Sequence, residues 1–328
     1  MELVATELNP VPSQPVITPV TTADGIVLRA VRWRATARRT RGTVCLVQGR
    51  AEFIEKYFET VADLRRRGFA VVAFDWRGQG GSQRDLANPR KGHVDDFSLY
   101  ERDLAAIVDQ VILPRCPPPY FVLAHSMGGT ILLHALRGKK TPFARLVTVA
   151  PMIDIAMVPW PRAARVLSEM LDACGFGASY VPGGGATSIS TKPFAGNRLT
   201  SDPVRYARNA EIAARAPELA VGDPTVAWLD AAYRAMGAFS DPGFALDVRT
   251  PVLVVAAGAD PVVSTPATER FAARLKTGRA IVIPGARHEI LMERDGIRDQ
   301  FWAAFDAFVP GSEGALPDQV ESSLSAAS

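Results

Sequence analysis

The sequence predicts an α/β protein with a mostly parallel central sheet, helices on both faces of the sheet and an inserted helical cap. Two observations predict this fold class. Short, wholly apolar segments alternate with longer amphipathic ones, which is typical of parallel strands joined by crossover helices. The alternation stops at Pro151 and resumes at Pro251, so the intervening residues form an insertion.

The strands of the parallel sheet are predicted from six apolar runs: 44–47, 70–74, 120–124, 146–150, 251–257 and 280–283. Because these runs lack alternating polar residues, both faces of the sheet should be covered. Residues 25–33 are predicted as an earlier strand, part of a hairpin whose turn is residues 38–42.

Helices are predicted where apolar residues recur every three or four positions. Such spacing occurs in the core segments 54–64, 97–111 and 297–308, and in the insertion at 163–171 and 224–236. The first of these helices should end at Gly68, a glycine in the usual C-terminal position.

The domain organisation follows from these segments. A chain of 328 residues suits one α/β domain that carries an insertion. We expect an N-terminal extension (1–23), a core (24–150 and 248–309), a cap (151–247) and a tail (310–328). The tail is small, polar and without periodicity, so it is predicted to be disordered.

Composition limits the function classes. Hydrophobic residues make up 48% of the chain and charged residues 22%, a globular balance, and the net charge of +3 argues against a nucleic-acid partner. Cys45, Cys116 and Cys174 form neither a disulfide framework nor a zinc motif. With no secretion signal and no apolar span, we expect a cytoplasmic protein, or one peripheral to the inner face of a membrane.

A serine stands between an apolar strand and an apolar helix, in Ala124-His125-Ser126-Met127-Gly128-Gly129. A sharp turn of this kind needs small residues two before and two after the serine, and Ala124 and Gly128 fill those places. The motif alone fits either a nucleophile or an ordinary glycine-rich turn.

A serine nucleophile needs a base, and the base needs a carboxylate. Of the four histidines, His125 leaves the strand on the opposite face, His134 lies about 12 Å along the following helix and His93 lies in an earlier loop. His288 follows the strand 280–283.

The carboxylate candidate, Asp260, follows the strand 251–257, so it and His288 lie where open α/β sheets place their chemistry. Alone, Asp260 could be a turn residue and His288 a structural histidine. Together with Ser126 they give the order Ser, Asp, His of an α/β-hydrolase triad.

An oxyanion hole would complete this site with two backbone N–H groups. Met127, directly after the serine, is one candidate, and Arg50, in the loop after the strand 44–47, is the other. Glu52 in the same loop precedes a helix, where its charge complements the helix dipole; a structural and a functional role both fit.

The motifs of this chain resemble the α/β-hydrolase group that contains bacterial lysophospholipases and monoacylglycerol lipases. The resemblance covers residues 24–309 and rests on 48–57, 74–82, 92–97 and 124–129, with Asp260 and His288. Gln48 stands where that group usually has histidine, and Ala124 where it usually has glycine. Neither change removes a catalytic group.

The resemblance implies a serine carboxylester hydrolase that acts on lysophospholipids or monoacylglycerols through an acyl-enzyme on Ser126, with no metal or organic cofactor. Two alternatives remain: a small-ester esterase or aminopeptidase-like hydrolase on the same fold, and a non-catalytic ligand-binding homologue.

By the same resemblance the cap would cover the active site. Its apolar residues either bury an acyl chain or only pack the cap onto the core. The cap has eight basic and ten acidic residues, so it offers no basic patch of its own. Six arginines between positions 29 and 41 form either a solvated hairpin or a contact with an anionic membrane surface. The sequence does not predict the oligomeric state.

Overall fold

The computed structural model describes residues 2–311, and these form one eight-stranded sheet with helices on both faces. The strand order is β1-β2-β4-β3-β5-β6-β7-β8. The strands are β1 (Val16–Thr21), β2 (Val27–Trp33), β3 (Gly42–Val47), β4 (Phe69–Phe74), β5 (Tyr120–His125), β6 (Phe143–Val149), β7 (Val252–Ala257) and β8 (Gly278–Ile283). Strands β3 to β8 run parallel, whereas β1 and β2 are antiparallel to their neighbours. The predicted fold class is confirmed.

The core helices are α1 (Phe58–Arg66), α2 (Ser98–Ile107), α3 (Leu113–Arg115), α4 (Met127–Leu136), α9 (Thr265–Ala272) and α10 (Asp295–Phe308). Between β6 and β7 the chain forms the cap helices α5 (Pro161–Leu171), α6 (Pro203–Arg215), α7 (Val226–Ala238) and α8 (Pro242–Asp247). Wider π turns, 108–112 and 172–176, follow α2 and α5, and single 3-10 turns occupy 54–57, 189–191, 217–219 and 290–292.

Alternate residues of each strand supply the two halves of the core. In β3, Val44 and Leu46 belong to the core cluster that includes residues of α1 and α10, while Cys45 and Val47 belong to the cluster on the other face, with residues of α2, α4 and α9. All six residues of β3, β4 and β7 are buried, as their apolar sequences require.

Two expectations about the N-terminal part are wrong. β2 does not form a hairpin with β3 but pairs with β1 and β4, so the hairpin turn lies at residues 22–26 and not at 38–42. β1 belongs to the sheet, so residues 16–21 are part of the core and not of an extension. Most of the predicted disordered tail, residues 312–328, lies outside the described residues.

Candidate active site

Ser126 occupies the sharp turn between β5 and α4. Its backbone has φ 48° and ψ −117°, a sparsely populated conformation for a residue with a side chain. The turn fits only because Gly128 has no Cβ: one placed there would lie 2.5 Å from the carbonyl oxygen of Gln48. The serine is therefore held at the C-terminal edge of the sheet, directly against the loop after β3.

The three residues predicted as a triad form one chain of hydrogen bonds. Ser126 Oγ lies 2.9 Å from His288 Nε2, and His288 Nδ1 lies 2.9 Å from Asp260 Oδ2. A carboxylate only accepts, so Nδ1 carries the imidazole proton and Nε2 is left to accept the serine proton. Ser126 and His288 are buried, and the Asp260 side chain is fully so.

Asp260 is held as a carboxylate. Burial opposes its charge, but the hydrogen bond from His288 and two backbone amides outweigh burial, and the pKa of Asp260 lies below its usual value. Its Oδ1 accepts the N–H groups of Val262 and Val263 at 2.8 and 3.1 Å. The other oxygen, Oδ2, faces His288.

Arg50 lies in the loop after β3, and Gln48 at the start of that loop lies against the serine turn. The Gly49 N–H is already donated to Glu52 Oε2, while no described residue accepts the Arg50 N–H. Met127 opens α4, so its N–H has no acceptor within the helix. Ala51 has φ 59°, and Gln79 fixes the loop by accepting its N–H and donating to the Gly49 oxygen.

Gln48, the residue that departs from the resemblance, points away from this loop. Its side chain is fully buried and donates to Asp75 Oδ1 at 3.0 Å. Asp75 also binds Arg29, so the loop is fixed through buried residues of the 74–82 motif.

Sequence reasoning missed a buried ionic cluster behind the triad, here called the inner network: Glu52, Lys56, Tyr57, His125 and Glu289. Glu52 accepts from Lys56 Nζ and Tyr57 Oη, both at 2.6 Å, and its Oε1 lies 3.0 Å from His125 Nδ1. Lys56 also pairs with Glu289 at 2.6 Å. Gly49 leaves room for this contact, since a Cβ there would lie 2.9 Å from His125 Nδ1.

The inner network connects the loop after β3 to His288. His125 Nε2 donates to the backbone oxygen of His288 at 3.1 Å, and the two imidazole rings are 4.9 Å apart. His125 therefore does lie away from the Ser126 hydroxyl, as predicted, but it touches the residue that binds this hydroxyl.

Charges within the inner network stabilise one another. Burial favours the neutral form of each group, yet Lys56 and His125 hold the pKa of Glu52 well below its usual value. Burial likewise opposes the charge on His125, but Glu52 raises the pKa of His125 above its usual value. Each ring nitrogen of His125 faces an acceptor, Nδ1 the Glu52 carboxylate and Nε2 the His288 oxygen, so we infer an ionised Glu52 facing a protonated His125.

The other two histidines lie apart from this chain. His93 Nδ1 bonds the hydroxyl of Thr225, and His134 Nε2 bonds the backbone oxygen of Ala235. Among residues 2–311 there is no cluster of His, Cys, Asp or Glu arranged to hold a metal ion.

The arginines of positions 29–41 do not act as one surface. Arg29 is buried and pairs with Glu55 and Asp75, so it supports the core and reaches neither solvent nor a membrane. Arg34, Arg38, Arg39 and Arg41 are exposed. No helix among residues 2–311 has the length and hydropathy that a membrane crossing requires.

The cap carries apolar side chains of two kinds. Met152 and Ile153 are buried where the chain leaves β6. In contrast, the apolar outer face of α5, defined by Trp160, Val166, Leu167 and Met170, is exposed, with Trp160 at 78%.

Comparison with known proteins places this geometry in a family. Residues 38–295 match the family described as serine aminopeptidase, S33. Lysophospholipase L2 of Escherichia coli (strain K12) is 37% identical over 85% of this chain and 82% of its own, and the probable lysophospholipase L2 of Haemophilus influenzae is 31% identical over 79% and 80%.

Among solved structures, a soluble variant of monoglyceride lipase from Saccharomyces cerevisiae superposes with a TM-score of 0.70 at 19% identity, over 92% of this chain and 97% of that one. At that identity the likeness concerns the fold alone. The predicted resemblance and hydrolase class are confirmed at the level of the family: the chain belongs to the serine aminopeptidase S33 family of α/β hydrolases, together with these lysophospholipases.

Proposed function

We propose that this chain is a serine carboxylester hydrolase that cleaves lysophospholipids or monoacylglycerols. The observation that carries the proposal is the hydrogen-bonded chain from Ser126 through His288 to Asp260. The 37% identity to a lysophospholipase over most of both chains supports the lipid substrate class.

The mechanism follows from the proton positions. His288 Nε2 takes the Ser126 proton as Oγ attacks the ester carbonyl, and ionised Asp260 stabilises the resulting imidazolium. The amides of Arg50 and Met127 bind the oxyanion. His288 then gives its proton to the leaving alcohol, and water releases the acyl group from Ser126 by the same steps.

A second candidate, peptide cleavage, comes from the family description. An aminopeptidase needs a carboxylate that is free to bind the substrate's amino group. Glu52 and Glu289, the carboxylates beside the oxyanion loop and His288, are both already bound to Lys56. This pairing favours the ester.

The apolar outer face of α5 supports the further proposal that the protein works at a lipid surface. Its exposed side chains share the helix with Arg162 and Arg165, a combination typical of helices that lie in a membrane interface. A cytoplasmic location, peripheral to the inner membrane face, remains a prediction.

A substrate panel tests the activity. Lysophosphatidylcholine, a monoacylglycerol, short p-nitrophenyl esters and aminoacyl amides should be compared with Ser126→Ala as the blank. We expect a lipid ester to give the highest kcat/KM, with no turnover of the amides. Preference for aminoacyl amides would overturn the ester assignment, and unchanged ester hydrolysis by Ser126→Ala would overturn the nucleophile.

A further inference from the structure

A cavity of about 820 Å³ lies between the cap and the core, away from the triad residues. Helices α5 and α7 of the cap form one side of it, and α9 with the segment after β6 forms the other. Four arginines are among its lining residues: Arg162 and Arg165 on α5, Arg270 on α9, and Arg274 just beyond α9.

These four guanidinium groups are not neutralised by the described part of the chain. Within residues 2–311 none of them forms an ion pair; Arg162, Arg165 and Arg270 are exposed on the rim, and Arg274 is half-buried. Asp154, the one carboxylate among the described residues that line the cavity, accepts the backbone N–H of Ile155 at 3.0 Å. Four positive charges thus share one cavity with a single negative charge.

Tyr233 supplies a second, independent observation. It lines the cavity, its side chain is more than nine-tenths buried, and its hydroxyl has no hydrogen-bond partner among the described residues. A buried hydroxyl without a partner costs free energy, and a ligand oxygen would remove that cost. Burial and the nearby Asp154 raise the pKa of Tyr233, so this hydroxyl keeps its proton and can donate it.

Arg274 has the same deficit on the core side. Its Nη2 donates to the Phe239 oxygen at 2.6 Å, which fixes the guanidinium in place, while its buried Nε has no partner among residues 2–311. Arg165 extends from the opposite side, with Nη1 3.9 Å from where a Cβ of Gly237 would lie.

We propose that this cavity binds a phosphate group, held between the arginines of α5 and those at the end of α9, with Tyr233 as an additional donor. Planar guanidinium forks pair with phosphate oxygens, and a phosphate has enough oxygens and charge to serve several forks at once. The phosphate can belong to a lipid headgroup or be free in solution. The count of charges within the cap gave no basic patch because half of this one belongs to the core.

The cavity is connected to the loop that carries Asp260. Asp154 O accepts the Ser264 N–H at 2.9 Å, and Ile155 pairs with Val263, whose own N–H binds Asp260. A phosphate that joins α5 to α9 would therefore fix the cap next to the loop that holds Asp260.

Binding to full-length protein tests the proposal, in a Ser126→Ala background so that lipid is not consumed and the result does not depend on the proposed esterase activity. One arm uses inorganic phosphate and glycerol 3-phosphate in calorimetry. The other uses phosphatidylcholine vesicles with and without phosphatidylglycerol. The test variant is Arg165→Gln with Arg270→Gln, and the matched control, Arg38→Gln with Arg39→Gln, removes the same charge from exposed positions elsewhere.

We expect the test variant to bind about tenfold more weakly than the control, which should match the parent. Tyr233→Phe, which removes only the hydroxyl, should also weaken binding. Loss confined to the vesicles would identify a lipid headgroup, and loss in the soluble arm a free phosphate. Equal weakening by both double variants, or no saturable binding in either arm, would overturn the proposal.

Discussion

The charged side chains of the inner network are paired with one another, whereas those of helix α5 that line the cavity are not. Behind Ser126, buried Glu52, Lys56, His125 and Glu289 are paired with one another at 2.6–3.0 Å. On α5, Arg162 and Arg165 form no ion pair among the described residues, and apolar side chains are exposed beside them. The groups proposed for the chemistry are thus fixed by partners within the molecule, whereas the arginines and apolar side chains of α5 are free to contact a ligand or a lipid surface.

The largest effect on activity should come from removing the hydroxyl of Ser126, which lies next to the inner network. Ser126→Ala should lower ester hydrolysis by about 10⁴-fold or more, because no other group can form the acyl-enzyme. Initial rates on lysophosphatidylcholine measure this. The melting temperature should stay near that of the parent, which would separate lost chemistry from lost structure.

Breaking the inner network should lower kcat without touching substrate. Glu52→Gln leaves His125 without its charge partner and Lys56 with Glu289 alone, so we expect the loop after β3 and His288 to shift and kcat to fall by up to about 100-fold. The matched control is Glu55→Gln, which loses an equally buried pair, with Arg29, away from the triad. Both variants should lose about 3 kcal/mol of stability.

The pH profile distinguishes this positioning role from mere destabilisation. Glu52 raises the pKa of His125 above its ordinary value of 6.5. The protonated form of His125 therefore contributes stability that is fully present below pH 6.5 and is lost as the pH rises through the pKa of the folded state. Without Glu52, His125 loses its proton at a lower pH and no longer holds His288 in place. In Glu52→Gln, the decline of kcat with rising pH should therefore begin at a lower pH than in the parent. An unmoved profile, or the same loss of kcat in Glu55→Gln, would contradict the role given to Glu52.

A second group of paired charges joins the core to the cap helix α6. Glu59 on α1 binds Arg205 and Arg208 of α6 and Arg298 of α10. Although burial opposes its charge, these arginines lower the pKa of Glu59 from 4.5 to about 2. Its contribution is thus present above pH 4.5 and lost as pH falls towards 2.

Glu59→Gln should cost about 2 kcal/mol of unfolding free energy at pH 7, a value reduced for the partial exposure of the site, and much less at pH 2. Urea unfolding at both pH values measures this. Glu211→Gln, which loses only a surface pair with Arg215 on the same helix, is the control and should change little. A loss that is equal at both pH values would speak against the ion pairs.

The smallest effect on activity should come from the apolar outer face of α5. Trp160→Ser removes the most exposed aromatic ring of the apolar outer face of α5 and should lower activity on vesicle-bound lipid about threefold to tenfold. Hydrolysis of a soluble p-nitrophenyl ester should be unchanged. Leu8→Ser, an exposed apolar residue outside the cap, is the control. Equal losses on both substrates would count against a lipid-facing α5.

Local patterns carried most of the prediction. Apolar runs located the parallel strands, and Ser126, Asp260 and His288 could be assigned because each follows a strand whose end lies at one edge of the sheet. The hairpin failed because β2 pairs with β4, some 40 positions away, and no turn sequence encodes that choice.

Charge partners were the least predictable part. Arg29 stood in a basic run and gave no sign that Glu55 and Asp75 would bury it. Glu52 was placed by the helix dipole alone, because its contact with His125 joins the loop after β3 to the end of β5, which are distant in sequence. The arginine cavity combines two cap residues with two core residues, so neither segment showed it.

Labelling with a fluorophosphonate probe tests the central claim most directly, because the probe reacts only with a serine activated by its base. Tryptic peptides of the labelled protein would locate the adduct by mass spectrometry. The account predicts one adduct per chain, on Ser126, absent in Ser126→Ala and strongly slowed in His288→Gln. An unlabelled but folded protein, or an adduct on another serine, would contradict it.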